Sequence, residues 1–257
     1  MKSKKEIVED WLPRYTGVDL KKFGQYILLT NFQQYLEVFA KINGKEIEGN
    51  GSTMPSVFSN GIRMVNIGMG SPNAASIMDL LTAVKPKAVL FLGKCGGLKN
   101  RSKVGDLILP IAGIRGEGTS NDYFPPEVPA LPAFNMQRAI SSTIRDHDLD
   151  YWTGTVYTTN RRVWEHDDEF KKYLRKIRAL AIDMETATLF SSGFANQIPV
   201  GALLLVSDQP MNPEGVKTRK SDQKVNRQFV ERQILIGIDA LKEVQENGRS
   251  VRHLKFD

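Results

Sequence analysis

Short apolar runs alternate along the chain with segments in which apolar residues recur every three or four positions. Residues 25–30 form one such run, and Phe32, Leu36, Phe39 and Ile42 follow with helical spacing. The run predicts a buried strand, and the spacing after it predicts a helix with one apolar face. The same reasoning predicts further strands over 62–68, 88–93, 105–115, 153–159, 178–185 and 200–208. It predicts further helices from 71 onward and over 136–146, 161–177, 186–197 and 222–245.

Glycine, proline and asparagine mark the boundaries between these segments. Asn60-Gly61 is a strong hairpin signal between two apolar runs. Pro13 and Gly17 predict a turn that interrupts a polar N-terminal helix. Because strands alternate with helices throughout, we predict a single three-layer α/β domain over 1–257, with a mixed central sheet and helices on both sides.

Polar residues follow the apolar runs at six places where a strand is predicted to end. Taken singly, each place has a structural explanation as a tight turn, a helix cap or an acid in the first turn of a helix. In open α/β sheets the carboxyl ends of the strands face the ligand crevice, and caps have no need to converge there. Six together therefore predict a ligand-binding crevice. They are Thr30-Asn31, 68–73, 93–97, Thr158-Thr159, Met184-Glu185 and Ser207-Asp208.

The overall composition is that of an ordinary globular protein. Of 257 residues, 41% are apolar and 25% charged, and no run of ~18 apolar residues predicts a membrane span. The N-terminus lacks an apolar signal segment and Cys95 is the single cysteine, so the cytoplasm is the expected location. The net charge of +6 favours an anionic partner, although a solvated basic surface explains much of it.

The histidines do not suggest a metal site. His147, His166 and His253 are scattered without the spacing that metal ligands show. The charged segment 166–169 is more typical of the start of a helix than of a metal-ligand set. We therefore predict that no metal ion takes part in the function.

Several longer segments carry a more specific signal. The order of GMG at 68–70, GKCGG at 93–97, DMETA at 183–187 and VSD at 206–208 resembles the nucleoside phosphorylase/nucleosidase superfamily, whose members share one α/β fold. The chain is most similar to the catalytic domain of the AMP nucleosidase family, in segments that follow the family's order over most of the sequence. These are RYTG (14–17), ILLTNFQQYL (27–36), MVNIGMGSPNA (64–74), GKCGGLKNRSKVGDLIL (93–109), PPEVPALP (125–132), GTVYTTNRRVWE (154–165), AIDMETAT (181–188) and LLLVSDQP (203–210).

The resemblance implies hydrolysis of the N-glycosidic bond of AMP to adenine and ribose 5-phosphate. Asp208 matches the family's general acid, which protonates N7 of the purine, and Glu185 matches the acid that accepts hydrogen bonds from the ribose hydroxyls. Met184 and Met69 match apolar ribose contacts, and Thr30 joins the expected substrate-binding set. The resemblance also implies no cofactor, no nucleic-acid or membrane partner, and a homo-oligomer, either a dimer or a hexamer.

The identity of the nucleophile separates hydrolysis from phosphorolysis. Phosphorolytic bacterial relatives carry a Gly-Asp-Pro-x-Arg loop after the first strand, whereas residues 30–34 of this chain read Thr-Asn-Phe-Gln-Gln. Relatives also use an arginine three residues before a hydroxyl side chain, whereas this chain has Phe91 followed by Gly93-Lys94. The missing phosphate ligands favour water as the nucleophile, although the cation of Lys94 leaves anion binding open.

A 5′-phosphate on the substrate would still need cations from the protein. Arg162 is expected to approach the phosphate or the base, and Trp164 either to wall the purine or to fill the core. Asp183 is expected in a turn or in support of the site. Two alternatives stay open: an enzyme that acts on unphosphorylated nucleosides, and a non-catalytic nucleotide- or nucleic-acid-binding protein. The candidate cations are Arg162, Lys94, Arg14, Arg115, Lys217 and Arg219.

Overall fold

The structure is a computed structural model that describes residues 2–247, so His253 lies outside the described residues. Within that range the strands are β1 Tyr26–Thr30, β2 Ser56–Ser59, β3 Ile62–Asn66, β4 Ala88–Gly97, β5 Leu107–Gly116, β6 Tyr151–Thr159, β7 Ala181–Asp183 and β8 Val200–Asp208. The α-helices are α1 Lys4–Thr16, α2 Gln33–Asn43, α3 Ser71–Leu80, α4 Phe134–Asp146, α5 Asp168–Lys176, α6 Thr186–Ala195 and α7 Arg219–Asn247.

The strands form one mixed sheet in the order β2-β3-β1-β4-β7-β6-β5-β8. Parallel pairs join β1 to β3 and β4, and β6 to β5 and β7, whereas β2–β3, β4–β7 and β5–β8 are antiparallel. β8 also pairs in parallel with β4, so β4, β7, β6, β5 and β8 close into a ring. The mixed sheet confirms the prediction. The ring was not predicted, since strand partners far apart in the chain leave no local pattern.

Helices cover both faces of the sheet, as predicted. Because successive side chains of a strand point to opposite faces, Ile27 and Leu29 of β1 pack in one apolar cluster and Leu28 packs in another. The first cluster includes residues of α1, α3 and α6, and the second includes residues of α2, α4 and α7. None of the helices within residues 2–247 is long and apolar enough to cross a membrane.

The predicted turn is wrong at Pro13, because α1 runs through Pro13 and ends at Thr16, with Gly17 as its C-cap. Gly17 adopts the left-handed conformation, with φ of 70°, and its N–H donates to the Pro13 carbonyl at 2.7 Å. Val8 and Leu12 are buried in the first apolar cluster. Packing of this apolar face therefore stabilises the helix despite the proline in its last turn.

The predicted hairpin at Asn60-Gly61 is confirmed. β2 and β3 pair antiparallel with Ser59 opposite Ile62, so the two residues between them form the turn. Their φ angles are 49° for Asn60 and 80° for Gly61. Positive φ at both central residues is what a type I′ turn requires, and asparagine and glycine tolerate it best.

Candidate active site

A pocket of about 210 Å³ lies at the carboxyl ends of several strands of the sheet. It is lined by residues in the carboxyl-terminal part of β1, β3, β4, β6, β7 and β8 or just after the ends of these strands, so the polar strand ends noted in the sequence meet at one place. Of the predicted site residues, those that line the pocket are Asp208, Glu185, Met184, Met69, Arg162, Trp164 and Lys94.

Glu185 lies in the turn between β7 and α6, where its side chain is almost fully buried. Its Oε1 accepts a hydrogen bond from the N–H of Gly70 at 2.7 Å, and its Oε2 accepts one from the N–H of Met184 at 3.3 Å. The Ser71 hydroxyl donates to the Met184 carbonyl at 2.7 Å. The start of α3 therefore holds this turn in place.

Burial, together with the nearby charge of Asp183, raises the pKa of the Glu185 carboxyl to about 8. Hydrogen bonds from Gly70, Asn31 and Met184 lower the same pKa but do not offset the loss of water. The groups that contact Glu185 are uncharged. Its oxygens are suited to accept hydrogen bonds from hydroxyl groups of a ligand.

Asp183 lines the pocket next to Glu185 and also ties neighbouring elements together. Its carboxylate accepts hydrogen bonds from the Thr158 hydroxyl at 2.7 Å, from the N–H of Thr186 at 2.8 Å and from the Thr186 hydroxyl. Burial raises the pKa of Asp183, although these hydrogen bonds act against the shift. Asp183 is the last residue of β7 and not a turn residue, and its bonds tie β6, β7 and the start of α6 together, which is the supporting role that the sequence left open.

Asp208 ends β8 on the other side of the pocket, and its side chain is also largely buried. The Ser207 hydroxyl lies 2.6 Å from Oδ1 of Asp208 and 3.3 Å from the Cys95 carbonyl. The Lys217 ammonium lies 3.5 Å from the same Oδ1. The loop after β8 folds back on itself, with the N–H of Gln209 donating to the carbonyl of residue 215 at 2.9 Å, and this return brings Lys217 over the acid.

Lys94 is a pocket residue whose charge is already paired. Its ammonium lies 2.9 Å from Oδ1 of Asp222, donates to the side chain of Asn226, and lies 4.4 Å from the centre of the Phe32 ring. Burial lowers the pKa of Lys94, and Asp222 opposes that shift. Lys217 is also 3.9 Å from Asp222. We did not predict Asp222, since it lies in α7 and its charge resembles that of any exposed helix residue.

Arg161, Arg162 and Trp164 form the rim that follows β6. Arg161 pairs with Asp167 at 2.9 Å, whereas Arg162 is 3.5 Å from Glu165 and more than half exposed. Trp164 is buried against an aromatic side chain of α5 and also lines the pocket. Both interpretations of Trp164 therefore remain compatible with its position.

Some predicted residues are not at the pocket. Thr30 is fully buried and its hydroxyl accepts the N–H of Phe32 at 3.3 Å, while Asn31 and Phe32 line the pocket in its place. We therefore no longer assign a substrate contact to Thr30. The signal for Asn31 was present, since successive residues at a strand end point to opposite sides.

Arg115 is hydrogen-bonded to the loop after β5 and does not line the pocket. Its guanidinium donates to the Ser120 hydroxyl, the Asn121 side chain and the carbonyls of Pro125, Val128 and Phe124, at 2.6 to 2.9 Å. These bonds hold the long loop after β5, so Arg115 is not available for a phosphate. Arg14 and Arg219, two further candidate cations, do not line the pocket.

The charged segment 166–169 starts α5, in agreement with the prediction. The Asp167 carboxylate caps the helix by accepting the N–H of Phe170 at 2.9 Å. In the part of the chain that the structure describes, no three or more His, Cys, Asp and Glu side chains are grouped so that they could hold a metal ion.

Comparison with known proteins decides the family. A family model described as the phosphorylase superfamily matches residues 26–242. The chain belongs to the phosphorylase superfamily. A crystal structure of uridine phosphorylase from Vibrio fischeri shares this fold, with a TM-score of 0.76 and 22% identity over 89% of this chain and 94% of that one.

Within the phosphorylase superfamily, two similar proteins carry the name AMP nucleosidase, which confirms the narrower resemblance. The crystal structure of AMP nucleosidase from Bacteroides thetaiotaomicron has a TM-score of 0.86 and 58% identity, covering 96% of this chain and 100% of that one. AMP nucleosidase from Escherichia coli (strain K12) is 28% identical over 291 residues, covering 95% of this chain and 60% of that protein. This chain thus spans less than two thirds of the Escherichia coli relative.

Proposed function

We propose that this chain is an enzyme that hydrolyses AMP to adenine and ribose 5-phosphate. The observation that supports this best is that Asp208 and Glu185 line one pocket together with four cationic side chains. Five carboxylates line the same pocket, so the cation that best supports a substrate with a phosphate is Arg162, which is more than half exposed at the rim. The two relatives named AMP nucleosidase support the same reaction. The four cations are Lys94, Arg161, Arg162 and Lys217.

Asp208 acts as the general acid in the proposed reaction. The C1′–N9 bond breaks, its electron pair moves into the purine, and the purine takes the proton of Asp208 at N7. Positive charge develops on the ribose, and Glu185 holds the sugar in place by accepting hydrogen bonds from the ribose hydroxyls. Water bonds to C1′, and the proton that the water loses replaces the one that Asp208 gave.

Two observations support water, rather than inorganic phosphate, as the nucleophile. Phe91 occupies the position at which phosphorolytic relatives carry an arginine. Its side chain is fully buried in the core. The ring packs directly against Gly93, where an added Cβ would lie only 2.5 Å from it. The Lys94 ammonium is paired with Asp222, whose carboxylate would repel an anion. Neither residue therefore offers a free positive charge to inorganic phosphate.

We expect a single domain over 1–257 that works as a homo-oligomer in the cytoplasm, without a cofactor and without nucleic acid as a partner. The resemblance to the superfamily supports this expectation. Light scattering after size-exclusion chromatography measures the oligomeric state, and a monomer at micromolar concentration would contradict that part.

The purified protein should be incubated with AMP in the presence and absence of inorganic phosphate, with separation of the base and the sugar product. We expect adenine and ribose 5-phosphate in equal amounts, and the reaction should proceed without added inorganic phosphate. Adenosine serves as the matched substrate without a phosphate, and its kcat/KM should be lower.

The same assay identifies the two alternatives. A sugar product that carries a phosphate on C1, formed only when phosphate is added, would identify a phosphorylase. Faster cleavage of adenosine or inosine than of AMP would identify a nucleosidase for unphosphorylated substrates. No base release, together with salt-sensitive binding to long nucleic acid, would identify a binding protein.

A further inference from the structure

Asp222, in the first turn of α7, lies between the two lysines of the pocket. Its Oδ1 is 2.9 Å from the Lys94 ammonium and 3.9 Å from the Lys217 ammonium. The Lys217 ammonium is in turn 3.5 Å from Oδ1 of Asp208. We call these four residues, Lys94, Asp222, Lys217 and Asp208, the charge chain, since positive and negative groups alternate along it.

One end of the charge chain is held firmly, and the other can adjust. The Lys94 side chain is 2% exposed and donates to Asn226, whose amide also donates to Oδ2 of Asp222 at 3.4 Å. These contacts fix Asp222 against β4. Lys217 instead ends a loop, its side chain is 23% exposed, and it lies within reach of two carboxylates. The position of Asp222 therefore decides how closely the Lys217 ammonium approaches Asp208.

The contact between Lys217 and Asp208 acts against the role of a general acid. A cation close to a carboxyl favours the ionised form, whereas a general acid must carry its proton before the transfer. Asp222 weakens the effect of the cations on Asp208 in two ways. It pairs with both lysines, and its negative charge partly cancels theirs at Asp208. Without Asp222, Lys94 and Lys217 would have Asp208 as their shared carboxylate within the charge chain.

We infer that Asp222 is a positioning residue of this site, which holds Lys94 and Lys217 and thereby limits the positive charge that acts on Asp208. The inference rests on the proposed role of Asp208 as general acid. The other titratable groups on this side of the pocket are Cys95 of β4 and Asp183 of β7, with Glu185 beyond them. They are identical in all variants below, so differences between variants report on the charge chain.

The test compares the pH dependence of kcat for AMP hydrolysis in Asp222→Asn, Lys217→Gln and the double variant. Asp222→Asn should move the alkaline limb to lower pH by about one pH unit, which lowers kcat about tenfold on that side of the profile. Lys217→Gln should move it in the opposite direction, because the cation next to Asp208 is lost. The double variant should lie between the two single variants, and Asp222→Glu should restore most of the wild-type profile.

Asp239→Asn is the matched control. Asp239 lies on the same helix and is also paired with a lysine, 3.0 Å from Lys242, but it does not line the pocket. Its substitution should leave the pH profile of kcat unchanged. If it shifts the profile as Asp222→Asn does, the effect belongs to the helix as a whole and the inference is overturned.

A readout that needs no turnover separates this inference from the proposed function. Carbon-13 NMR of the aspartate carboxyls, with Asp208 assigned from Asp208→Asn, follows the protonation of Asp208 directly. Its titration midpoint should fall in Asp222→Asn and rise in Lys217→Gln. Equal midpoints in the wild type and Asp222→Asn would overturn the inference, as would a loss of kcat that is uniform over pH. Absence of adenine release by the wild type would refute the proposed function alone.

Discussion

Glu185 and Asp208 lie in the same pocket but differ in the groups that surround them. Glu185 accepts hydrogen bonds from the backbone N–H groups of Gly70 and Met184. Asp208 contacts the hydroxyl of its neighbour in β8 and the ammonium of Lys217. One acid is therefore held by uncharged donors in a turn, and the other by a charge chain that reaches into α7.

This difference shows that burial alone does not decide how a carboxyl behaves. At Glu185 the uncharged donors do not compensate for the loss of water, and the pKa rises to about 8. At Asp208 the ammonium of Lys217 and the hydroxyl of Ser207 take the place of the backbone donors that hold Glu185. Two acids in one pocket therefore have different environments, uncharged donors around Glu185 and alternating charges around Asp208.

The strongest test of this contrast is Asp208→Asn. An amide cannot donate the proton that a purine leaving group needs, so kcat for adenine release from AMP should fall by about 10²- to 10⁴-fold. AMP binding, measured by calorimetry, should change little, since the amide has nearly the same shape. A variant that keeps a tenth or more of wild-type kcat would show that Asp208 is not the general acid.

Glu185→Gln tests the acid that uncharged donors hold, through the pH dependence of the free energy of unfolding. The folded carboxyl holds its proton up to a pKa of about 8, whereas the unfolded one loses it near 4.5. The folded state binds more protons in this window, so the contribution of Glu185 to stability is present below 4.5 and is lost as pH rises through about 8. Glutamine carries no such proton.

The free energy of unfolding in urea should therefore fall less in Glu185→Gln than in the wild type when the pH rises from about 5 to about 9, by on the order of a few kcal/mol. Glu169→Gln is the control, because Glu169 is an exposed residue of α5. Equal slopes for the wild type and Glu185→Gln would mean that the buried carboxyl is already ionised at neutral pH.

Arg162→Ala tests whether a cation outside the charge chain recognises the substrate phosphate. Arg162 is more exposed than Lys94 or Lys217, and its contact with Glu165 is long. Its loss should raise KM for AMP about tenfold and leave kcat/KM for adenosine unchanged, because adenosine carries no phosphate. Arg175→Ala, at an exposed position of α5, should change neither KM for AMP nor kcat/KM for adenosine. Equal losses on AMP and adenosine would place Arg162 at the base or the ribose.

Ser71→Ala should give the smallest effect. It removes the hydroxyl that donates to the Met184 carbonyl, which costs about 1 kcal/mol and lowers kcat/KM a few-fold by loosening the turn that carries Glu185. Ser76→Ala is a matched control on the same helix, because its hydroxyl donates to the Pro72 carbonyl away from the pocket. If both variants lose the same activity, the Ser71 bond serves the helix and not the site.

Much of the site was predictable because its residues follow strand ends directly. Met69, Met184, Glu185 and Asp208 each come at the end of an apolar run, and the carboxyl ends of such strands meet at one edge. Thr30 was one residue away from the pocket-lining Asn31. A sequence pattern locates a strand end to within a residue or two, and that error turns a side chain to the other face.

The contacts that side chains make within and beside irregular loops were not predictable. Arg115 and Lys217 were equivalent candidates for a phosphate ligand by residue type alone. The structure assigns Arg115 to the loop after β5 and brings Lys217 to Asp208. The role of Asp222 was not predictable, because the helix dipole already explains an aspartate in the first turn of a helix.

The sequence by itself determined the alternation of strands and helices, the hairpin at Asn60-Gly61 and the two acids at strand ends, because these depend on neighbours within a few residues. Only the tertiary structure decided the closure of the ring, the course of α1 through Pro13 and the partners of each buried charge. These depend on packing and Coulomb forces between residues of different elements, some of them far apart in the chain, such as Lys94 and Asp222.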